Sequence, residues 1–408
     1  MTTPFSPIAD ILDDLQNGKM VILTDNEDRE NEGDLVLPAQ MATPDAINFM
    51  LTCARGYLCL SLTETDCDRL DLHPQAESNT SLRATPFTVS IDGDPKHGVG
   101  TGVSTFDRAR TVQLAIDANS TPDDFVRPGH INPLRSRDGG VLVRVGQTEG
   151  SLDLCRLAGL HPSALIIEIV RPDGGMARIP DLETIAREHD IKMCSVAQII
   201  EHRLARETLV RRHEPVSGVE IQTEFGPFNL VAFDSAVDPL PHIALTLGGV
   251  GDLDSDGKPI GRDEPTLVRM HRRHLLGDIF GDLTSGHDGS TGAVLRESMR
   301  RIQAEGAGAI VYLRPEGSGD DLESRLQTIN RDRLGLSAGA QRGAVARGDI
   351  PMTERQFGIG GQILRELGLT RLRLMTNAPV DRPGLDAFGL EIVEHVPLKR
   401  TTDQPLPA

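Results

Sequence analysis

Aromatic side chains are scarce in this sequence of 408 residues, which has no tryptophan, two tyrosines and an aromatic content of 3%. Proteins that hold single-stranded nucleic acid stack its bases on aromatic rings, and few rings are available here. Basic residues are also outnumbered, since 42 Lys and Arg stand against 60 Asp and Glu and give a formal net charge of -18. Nucleic acids and anionic membranes bind clustered positive charge, so the sequence predicts neither partner.

Cysteines are few, and long apolar runs are lacking. The cysteines are odd in number, form no C-x-x-C pair and argue against a disulfide framework or a zinc site made of thiolates; they are Cys53, Cys59, Cys67, Cys155 and Cys194. The most apolar run, residues 164–170, is interrupted by Glu168, and residues 1–12 lack the basic start and apolar stretch of a signal peptide. We therefore expect a cytoplasmic protein without a membrane span.

The length favours two domains of similar size. Apolar strands in the first half are predicted at residues 20–23, 35–37, 57–62, 87–91, 141–145 and 164–170, and helices at 104–116, 149–158 and 181–189. Thr43 as N-cap and Pro44 in the first turn predict a further helix through Met50. This alternation predicts a mixed sheet covered by helices. The segment EHRLARETLVRRHEPVSG is charged and basic and ends in Pro and Gly, so we place the domains at residues 1–208 and 209–408.

An acidic segment, TDNEDRENEGD, follows the first predicted strand and sets six carboxylates beside Arg29: Asp25, Glu27, Asp28, Glu30, Glu32 and Asp34. Such crowding raises the pKa of some members unless a cation neutralises them, and Mg²⁺ prefers carboxylate, carbonyl and water oxygens. Glu30 and Glu32 alternate, so both would share one face of an extended loop, and Gly33 would permit a tight turn towards Asp34. A solvated acidic loop is the alternative.

Three further segments contain candidate site residues. In RPGHINPL, His130 lies in a predicted loop, where a lone histidine is more often structural. In RVGQTEGSLDL, a predicted strand ends at Gly146 and a helix begins near Thr148, which leaves backbone N–H groups for a phosphate or polyol beside Arg144. Glu168 is a single charge in an apolar strand, so it faces either solvent or a site.

Together these segments resemble the 3,4-dihydroxy-2-butanone 4-phosphate synthase family over about residues 6–205. The matching pieces, in order, are DNEDRENEGDLVLPA, GTGVSTFDRARTVQLAI, RPGHINPL, GGVLVRVGQTEGSLDL and, after LIIEI, DGGMARIPDL. The resemblance implies an α+β fold, a homodimer and the conversion of D-ribulose 5-phosphate to 3,4-dihydroxy-2-butanone 4-phosphate and formate in riboflavin biosynthesis. It also implies two Mg²⁺ ions per active site, for which Mn²⁺ could substitute.

The resemblance assigns roles residue by residue. His130 and Glu168 would be catalytic, and Glu30 and Gln147 would bind metal. The substrate would contact Arg29, Glu30, Asp34, Arg144, Val145, Gly146, Gln147, Thr148 and Glu168. Gln147 departs from the family, which usually has a metal-binding histidine there. Its amide oxygen is still an acceptable Mg²⁺ ligand, so we expect activity with oxygen-only coordination.

From about residue 218 onward the chain resembles GTP cyclohydrolase II, through FGPFNLVAFDS, LVRMHRRHLLGDIFG, AIVYLRPEGSG, RQFGIGGQILRELGL and LRLMTNAPV. The zinc-binding cysteines of that family are missing from the sequence: His274 replaces the first, and TSGHDGSTG replaces the C-D-C element. Ser318 stands where the family has an arginine and Thr353 where it has the catalytic aspartate, whereas the arginine of that element is retained as Arg355.

Thiolates bind the water-activating zinc tightly, so their loss predicts no zinc and no cyclohydrolase activity in the second half. A replacement metal site from His271, His274 and His287 is a weaker alternative, because H-x-x-H alone is not specific. Two alternatives remain for the whole chain. It could be a bifunctional synthase and cyclohydrolase, or a regulatory or binding protein in which neither half is catalytic.

Overall fold

A computed structural model describes residues 4–25, 30–77, 79, 85–283, 290–315, 326, 354–377 and 388–398. The chain divides into two compact units, Met1–His202 and Arg203–Ala408. The domain boundary predicted after residue 208 lies a few residues further along the chain and stays a prediction. Among the described residues, no helix combines the length and apolar character needed to cross a bilayer.

Seven strands in the described part of the first unit form one mixed sheet. They are β1 (Val21–Thr24), β2 (Gly33–Pro38), β3 (Cys59–Leu62), β4 (Ile91–Gly93), β5 (Phe125–Arg135), β6 (Ala164–Glu168) and β7 (Lys192–Ser195). Their order across the sheet is β4-β5-β3-β6-β2-β1-β7. The β3–β5 and β1–β7 pairs are parallel and the other pairs are antiparallel.

Helices accompany this sheet, namely α1 (Ile8–Gln16), α2 (Pro44–Cys53), α3 (Glu64–Arg69), α4 (Thr105–Ile116), α5 (Gln147–Leu157), α6 (Ile179–His189) and α7 (Val196–Leu204). The predicted start of α2 is confirmed, because the Thr43 hydroxyl accepts the Ala46 N–H at 3.1 Å and Pro44 occupies the first turn. Fully buried side chains such as Leu35, Leu60 and Met50 make up the core that fixes the sheet position, each stabilising by ~1.5–3 kcal/mol.

Two predicted elements of the first unit are wrong. Residues 141–145 do not form a strand, because Gly139 and Gly140 adopt positive φ angles of 87° and 63° and lead into a short 3-10 helix, Gly140–Leu142. An apolar run by itself does not distinguish these outcomes. RPGHINPL is not a loop but part of β5, in which residues 127–130 bulge out between two neighbouring pairings with β4. A bulge tolerates Pro128, which cannot donate to the ladder.

The second unit contains β8 (Val210–Arg212), β9 (Val219–Thr223), β10 (Gly226–Ser235), β11 (His242–Leu247), β12 (Thr266–Arg272), β13 (Gly308–Leu313), β14 (Arg371–Met375) and β15 (Glu391–Val396). Its described helices are α8 (Leu275–Phe280), α9 (Thr291–Glu305) and α10 (Glu354–Glu366). The sheet order is β15-β14-β12-β13-β11-β10-β8, and β9 pairs with β10. Strands β15, β14, β12 and β13 are parallel and the remaining pairs antiparallel. The α+β class, with a mixed sheet and helices in each domain, is thus confirmed.

Candidate active site

Two predicted site residues, Asp34 and Glu168, meet where β2 begins and β6 ends. They are directly opposite each other in the antiparallel ladder, so their side chains share one face of the sheet. The Asp34 side chain is buried, and its Oδ1 has no hydrogen-bond partner. Burial, reinforced by the charges of Glu168 and Glu30, raises the pKa of Asp34 well above its ordinary value. A cation at this edge would relieve that unfavourable arrangement.

The acidic segment folds back on itself through Asp25. The Asp25 carboxylate accepts the backbone N–H of Glu30 and that of Glu32, both at 2.9 Å. Asp25 therefore holds the backbone of the loop that contains Glu30, and we assign it this structural role and not that of a metal ligand. Arg29, predicted to contact the substrate, lies outside the described residues, as do Glu27 and Asp28.

The turn predicted at Gly33 is wrong. Gly33 lies inside β2, and the left-handed conformation falls instead on Asn31, with φ of 55°. Gly33 is needed for close packing, since a Cβ there would lie 2.5 Å from Leu182 Cδ1. The consequence for Asp34 is that it is held by a regular strand and not by a flexible turn.

Arg178 clamps the acidic loop, and reasoning from the sequence missed it. Its Nη1 donates to the carbonyl oxygens of Glu30, at 2.8 Å, and of Asn31. It also lies 3.8 Å from Glu32 Oε1. Burial and the Glu30 charge raise the pKa of Glu32, and Arg178 opposes that shift. In the sequence, Arg178 lies in the family segment DGGMARIPDL, but the family resemblance does not assign it a role.

His130 is held by a buried carboxylate, Asp92. The His130 backbone N–H donates to Asp92 Oδ1 at 2.9 Å, and His130 Nδ1 lies 2.7 Å from Asp92 Oδ2. A carboxylate only accepts, so Nδ1 carries the proton and Nε2 is the nitrogen able to take one up. A Cβ at Gly129 would lie 2.0 Å from the Ile91 carbonyl carbon, and one at Gly102 would lie 2.0 Å from Asp92 Oδ2. Glycine at both positions therefore permits the His130–Asp92 contact.

Glu168 is held from the neighbouring chain segment. Its Oε2 accepts the Tyr57 N–H at 2.8 Å, and the Tyr57 hydroxyl donates to Asn132 Oδ1 at 2.7 Å. Gly56 is required here, because a Cβ would lie 2.1 Å from the Glu168 carbonyl oxygen. Tyr57 thus links the end of β6 to β5, a role that its position in an apolar run did not indicate.

The strand registers place the candidate residues on one row. Cys59 pairs with Asn132 on one side and with Ile166 on the other. His130 and Glu168 lie two residues beyond these pairs on their strands, and Tyr57 bridges the same two strands, because its N–H donates to Glu168 and its hydroxyl donates to Asn132. Asp34 follows Glu168 in the same row. With neighbouring strands ~4.8 Å apart, β5 and β2, which hold the two ends of this row, are separated by roughly 14 Å. Burial, Glu168 and Asp34 together raise the pKa of the Cys59 thiol, which agrees with this proximity.

The first turn of α5 lies over the same face of the sheet. Leu23 is the ladder partner of Asp34, and a Cβ at Gly150 would lie 2.8 Å from Leu23 Cδ2. Gly146 caps the helix in an extended conformation, and Gln147 and Thr148 are buried in its first turn. The unpaired backbone N–H groups of a helix N-terminus attract anions. The structure therefore brings this predicted segment to the acidic row, with Val145 exposed beside it.

In the second unit, the histidines near the missing cysteines take part in hydrogen bonds. His274 Nδ1 accepts the Gly277 N–H at 3.0 Å and caps α8, while His271 Nε2 lies 3.0 Å from Asp278 Oδ1. Tyr312 and Thr291 also donate to the Asp278 carboxylate, at 2.7 and 2.6 Å. His287, Ser318 and Thr353 lie outside the described residues.

Arg355, the arginine retained from the cyclohydrolase pattern, is buried in an ion pair. It donates to Asp238 Oδ1 and, at 3.1 Å, to the Val237 carbonyl oxygen. The other oxygen of Asp238 lies 3.1 Å from His242 Nε2, and His242 Nδ1 accepts the Arg314 N–H at 2.9 Å. The guanidinium is thus engaged by protein groups.

Comparisons with known proteins agree with both halves of this description. The family model for 3,4-dihydroxy-2-butanone 4-phosphate synthase matches residues 9–202, and that for GTP cyclohydrolase II matches residues 212–397. The riboflavin biosynthesis protein RibBA of Aquifex aeolicus is 43% identical over 396 residues, covering 97% of this chain and 93% of its own. RibBA of Bacillus subtilis is 42% identical over 395 residues, covering 97% and 94%.

Among solved structures, RibBX from A. baumannii, described as a two domain 3,4-dihydroxy-2-butanone 4-phosphate synthase, matches with a TM-score of 0.75 and 33% identity. The match covers 96% of this chain and 99% of that one. The resemblance to the synthase and cyclohydrolase families stated from the sequence is confirmed, as is the prediction of a lyase. The chain belongs to the riboflavin biosynthesis protein family whose members join a 3,4-dihydroxy-2-butanone 4-phosphate synthase domain to a GTP cyclohydrolase II domain.

Proposed function

We propose that the first unit converts D-ribulose 5-phosphate to 3,4-dihydroxy-2-butanone 4-phosphate and formate. The observation that carries this proposal is the row formed by His130, Glu168 and Asp34 beneath the N-terminus of α5. In this row, His130 and Glu168 can transfer protons, the Asp34 oxygens can bind a cation, and the N-terminus of α5 can bind an anion. A ketose phosphate requires these three features together.

The residues present fit a divalent ion. Asp34 has a buried oxygen without a partner, and Glu30 and Gln147 belong to segments that reach the same face. Mg²⁺ is commonly held by one or two carboxylates together with water and substrate oxygens. We propose Glu30 and Gln147 as ligands of two Mg²⁺ ions, replaceable by Mn²⁺. Bound there, the metal would polarise the ketose oxygens and acidify the adjacent C–H.

His130 and Glu168 are the proposed acid and base groups. Asp92 keeps the proton on His130 Nδ1, so Nε2 can accept a proton from the substrate and return it later. The Tyr57 N–H fixes one oxygen of Glu168 and leaves the other oxygen of that carboxylate for the reaction. Holding both groups in one row keeps them within reach of a single bound sugar.

The remaining predicted residues would bind the substrate. Arg144, with the backbone of Val145 and Gly146 and the hydroxyl of Thr148, would hold the phosphate at the start of α5. Arg29 and Asp34 would contact the sugar phosphate from the acidic segment. The proposed substrate therefore lies with its phosphate at the helix and its hydroxyl groups over the acidic row.

The direct test is formate release from ribulose 5-phosphate by the purified full chain. We expect release with Mg²⁺, loss of release after chelation with EDTA, and recovery when Mg²⁺ is restored. A folded chain that releases no formate under these conditions would contradict the proposal.

We also propose that the working unit is a homodimer. Val103, Phe106 and Val126 expose 51%, 72% and 40% of their surface, and Val103 follows Gly102, which touches Asp92. Apolar side chains exposed beside a site are typical of a surface that another protein covers. Sedimentation equilibrium should give twice the chain mass. A monomer at micromolar concentration would contradict this.

A reducing compartment, the cytoplasm, is the proposed location. All five cysteines are free, and four of them are buried. Free thiols persist where glutathione and thioredoxin keep them reduced.

For the second unit we propose that cyclohydrolase activity and bound zinc are both absent. The Nδ1 of His274 accepts a hydrogen bond at the start of α8, and the Nε2 of His271 is hydrogen-bonded to Asp278. Arg355 is held by Asp238 and not presented to a ligand. Zinc analysis of the purified chain should find less than stoichiometric metal, and GTP should not be consumed. Stoichiometric zinc with GTP turnover would instead favour the bifunctional alternative. The match of residues 212–397 to the GTP cyclohydrolase II family supports that alternative.

A further inference from the structure

Glu149 is a buried carboxylate with no role in the chemistry described above. It lies in the first turn of α5, and its side chain has no exposed surface. A carboxylate buried without partners is costly, so its contacts explain why it is there. Because it is inaccessible, it cannot touch the substrate itself.

The partners of Glu149 come from the segment that leads into α5. Arg144 Nη1 donates to Glu149 Oε2 at 2.6 Å, and the Arg137 backbone N–H donates to Oε1 at 3.3 Å. The guanidinium of Arg144 is therefore held at the first turn of the helix. Charge-assisted bonds of this length are about twice as strong as neutral ones.

Resting on the proposed function, we propose that Glu149 is a positioning residue that holds Arg144 at the N-terminus of α5 to receive the substrate phosphate. Arg144 lies in the connection between a short 3-10 helix, Gly140–Leu142, and α5, and its side chain is 19% exposed. An arginine side chain has ~2 kcal/mol of rotamer entropy to lose on binding. Because Glu149 is fixed by the helix and already orders the Arg144 side chain, less of this entropy is lost when the substrate binds.

The same helix offers a matched control. Asp153 is also buried, also pairs with an arginine, Arg156, at 2.7 Å, and also accepts a backbone N–H, that of Val141 at 2.8 Å. It lies one turn further from the helix N-terminus. Asp153→Asn therefore perturbs a similar buried ion pair and leaves the Arg144–Glu149 contact in place.

The experiment compares Glu149→Gln with Asp153→Asn in the full chain. We expect Glu149→Gln to raise KM for ribulose 5-phosphate on the order of 10-fold while kcat changes less than about 3-fold, since one charge-assisted contact to the bound phosphate weakens. Asp153→Asn should lower the unfolding temperature and leave KM within about 2-fold. A Glu149→Gln enzyme that keeps the parent KM, or that changes only as Asp153→Asn does, would overturn the proposal.

A double-mutant cycle and a binding measurement complete the test. Arg144→Met should raise KM, and adding Glu149→Gln to it should raise KM no further, because the second residue acts through the first; additive effects would overturn the proposal. Calorimetric titration with inorganic phosphate needs no turnover. If the parent binds phosphate, Glu149→Gln weakens it and no formate is released, then the proposed function fails while the positioning role stands.

Discussion

A single side chain, Asp92, decides which nitrogen of His130 is available for chemistry. It contacts both the backbone and the ring of His130, at 2.9 and 2.7 Å, and it is buried. We predict that Asp92→Asn lowers kcat on the order of 100-fold with little change in KM, because the amide can stabilise the wrong tautomer and cannot neutralise the protonated ring. Steady-state kinetics with formate detection provides the measurement. Unchanged kcat in a folded variant would mean that His130 works without this partner.

Gln147 makes a separate prediction about metal preference. An imidazole at this position suits transition metals better than an amide oxygen does, whereas Mg²⁺ prefers oxygen. We predict that Gln147→His tightens Mn²⁺ binding by about 10-fold and improves Mg²⁺ binding much less. Titration of free Mn²⁺ by electron paramagnetic resonance measures this without turnover. Equal Mn²⁺ affinity in both proteins would remove Gln147 from the metal site.

The sequence predicted which side chains carry chemistry but not which side chains hold them. His130, Glu168 and Asp34 stand out because charge and imidazole are unusual in or beside apolar strands. Asp92 is 38 residues from His130, and Arg178 is 148 residues from Glu30. Such partners are brought together only by the sheet order. In the sequence, only the family segment DGGMARIPDL indicated that the residues around Arg178 belong near the site.

At the level of elements, the buried ion pair of Asp238 and Arg355 joins the β10–β11 connection to α10 in the second unit. Asp238 lies in the connection between β10 and β11, and Arg355 lies in the first turn of α10. We predict that Asp238→Asn lowers the free energy of unfolding of this unit by about 3–5 kcal/mol, because it leaves a buried guanidinium without its counter-charge.

Denaturant titration of the full chain measures this effect, and Asp234→Asn is the matched control. Asp234 pairs with His213 at 3.0 Å but is one-third exposed, and exposed pairs contribute less than about 1 kcal/mol. If both variants unfold at the same denaturant concentration, Asp238 is not the clamp described here.

Helices with local end signals were predicted well, and most apolar runs proved to be strands, but the apolar run at residues 141–145 did not. Thr43 and Ser104 cap α2 and α4 by accepting N–H groups three residues on, as their sequences indicate. Residues 141–145 form no strand, since two positive-φ glycines before them turn the chain against α5. The bulge in β5 could not be predicted either, because it depends on the close approach of β4 to Gly129.

At the level of the whole molecule, stability should depend on pH through the hydrogen bonds to Asp278. Burial alone would raise the pKa of Asp278, yet hydrogen bonds from His271, His274 and Thr291 lower it to about 2. A carboxyl group with a lowered pKa stabilises the folded state above its unfolded pKa near 3.8, and this contribution is lost as the pH falls towards 2. The contribution is about 2 kcal/mol.

Thermal unfolding of the parent and of Asp278→Asn between pH 2 and pH 7 measures that dependence. We expect the parent to be the more stable at pH 7, and we expect the difference between the two curves to shrink below about pH 4 and to close near pH 2. A gap of constant size across this range would show that the carboxylate charge is not what stabilises the unit.

The two-domain organisation, the fold class and the family were all predictable, since ordered motifs run through both halves of the chain. The boundary after residue 208 stays a prediction. The charged segment suggested a break after residue 208, whereas the compact units divide after His202. Charge marks solvent exposure, and a helix such as α7, Val196–Leu204, can continue into it.

The most direct test of the central claim is the turnover of Glu30→Gln. The proposed mechanism requires the Glu30 carboxylate, just before β2, to bind Mg²⁺ and so loosen a hydrogen of the ketose phosphate. It predicts that purified Glu30→Gln, folded as the parent is, releases formate from ribulose 5-phosphate at least about 100-fold more slowly at saturating Mg²⁺. Formate release at the parental rate would contradict it.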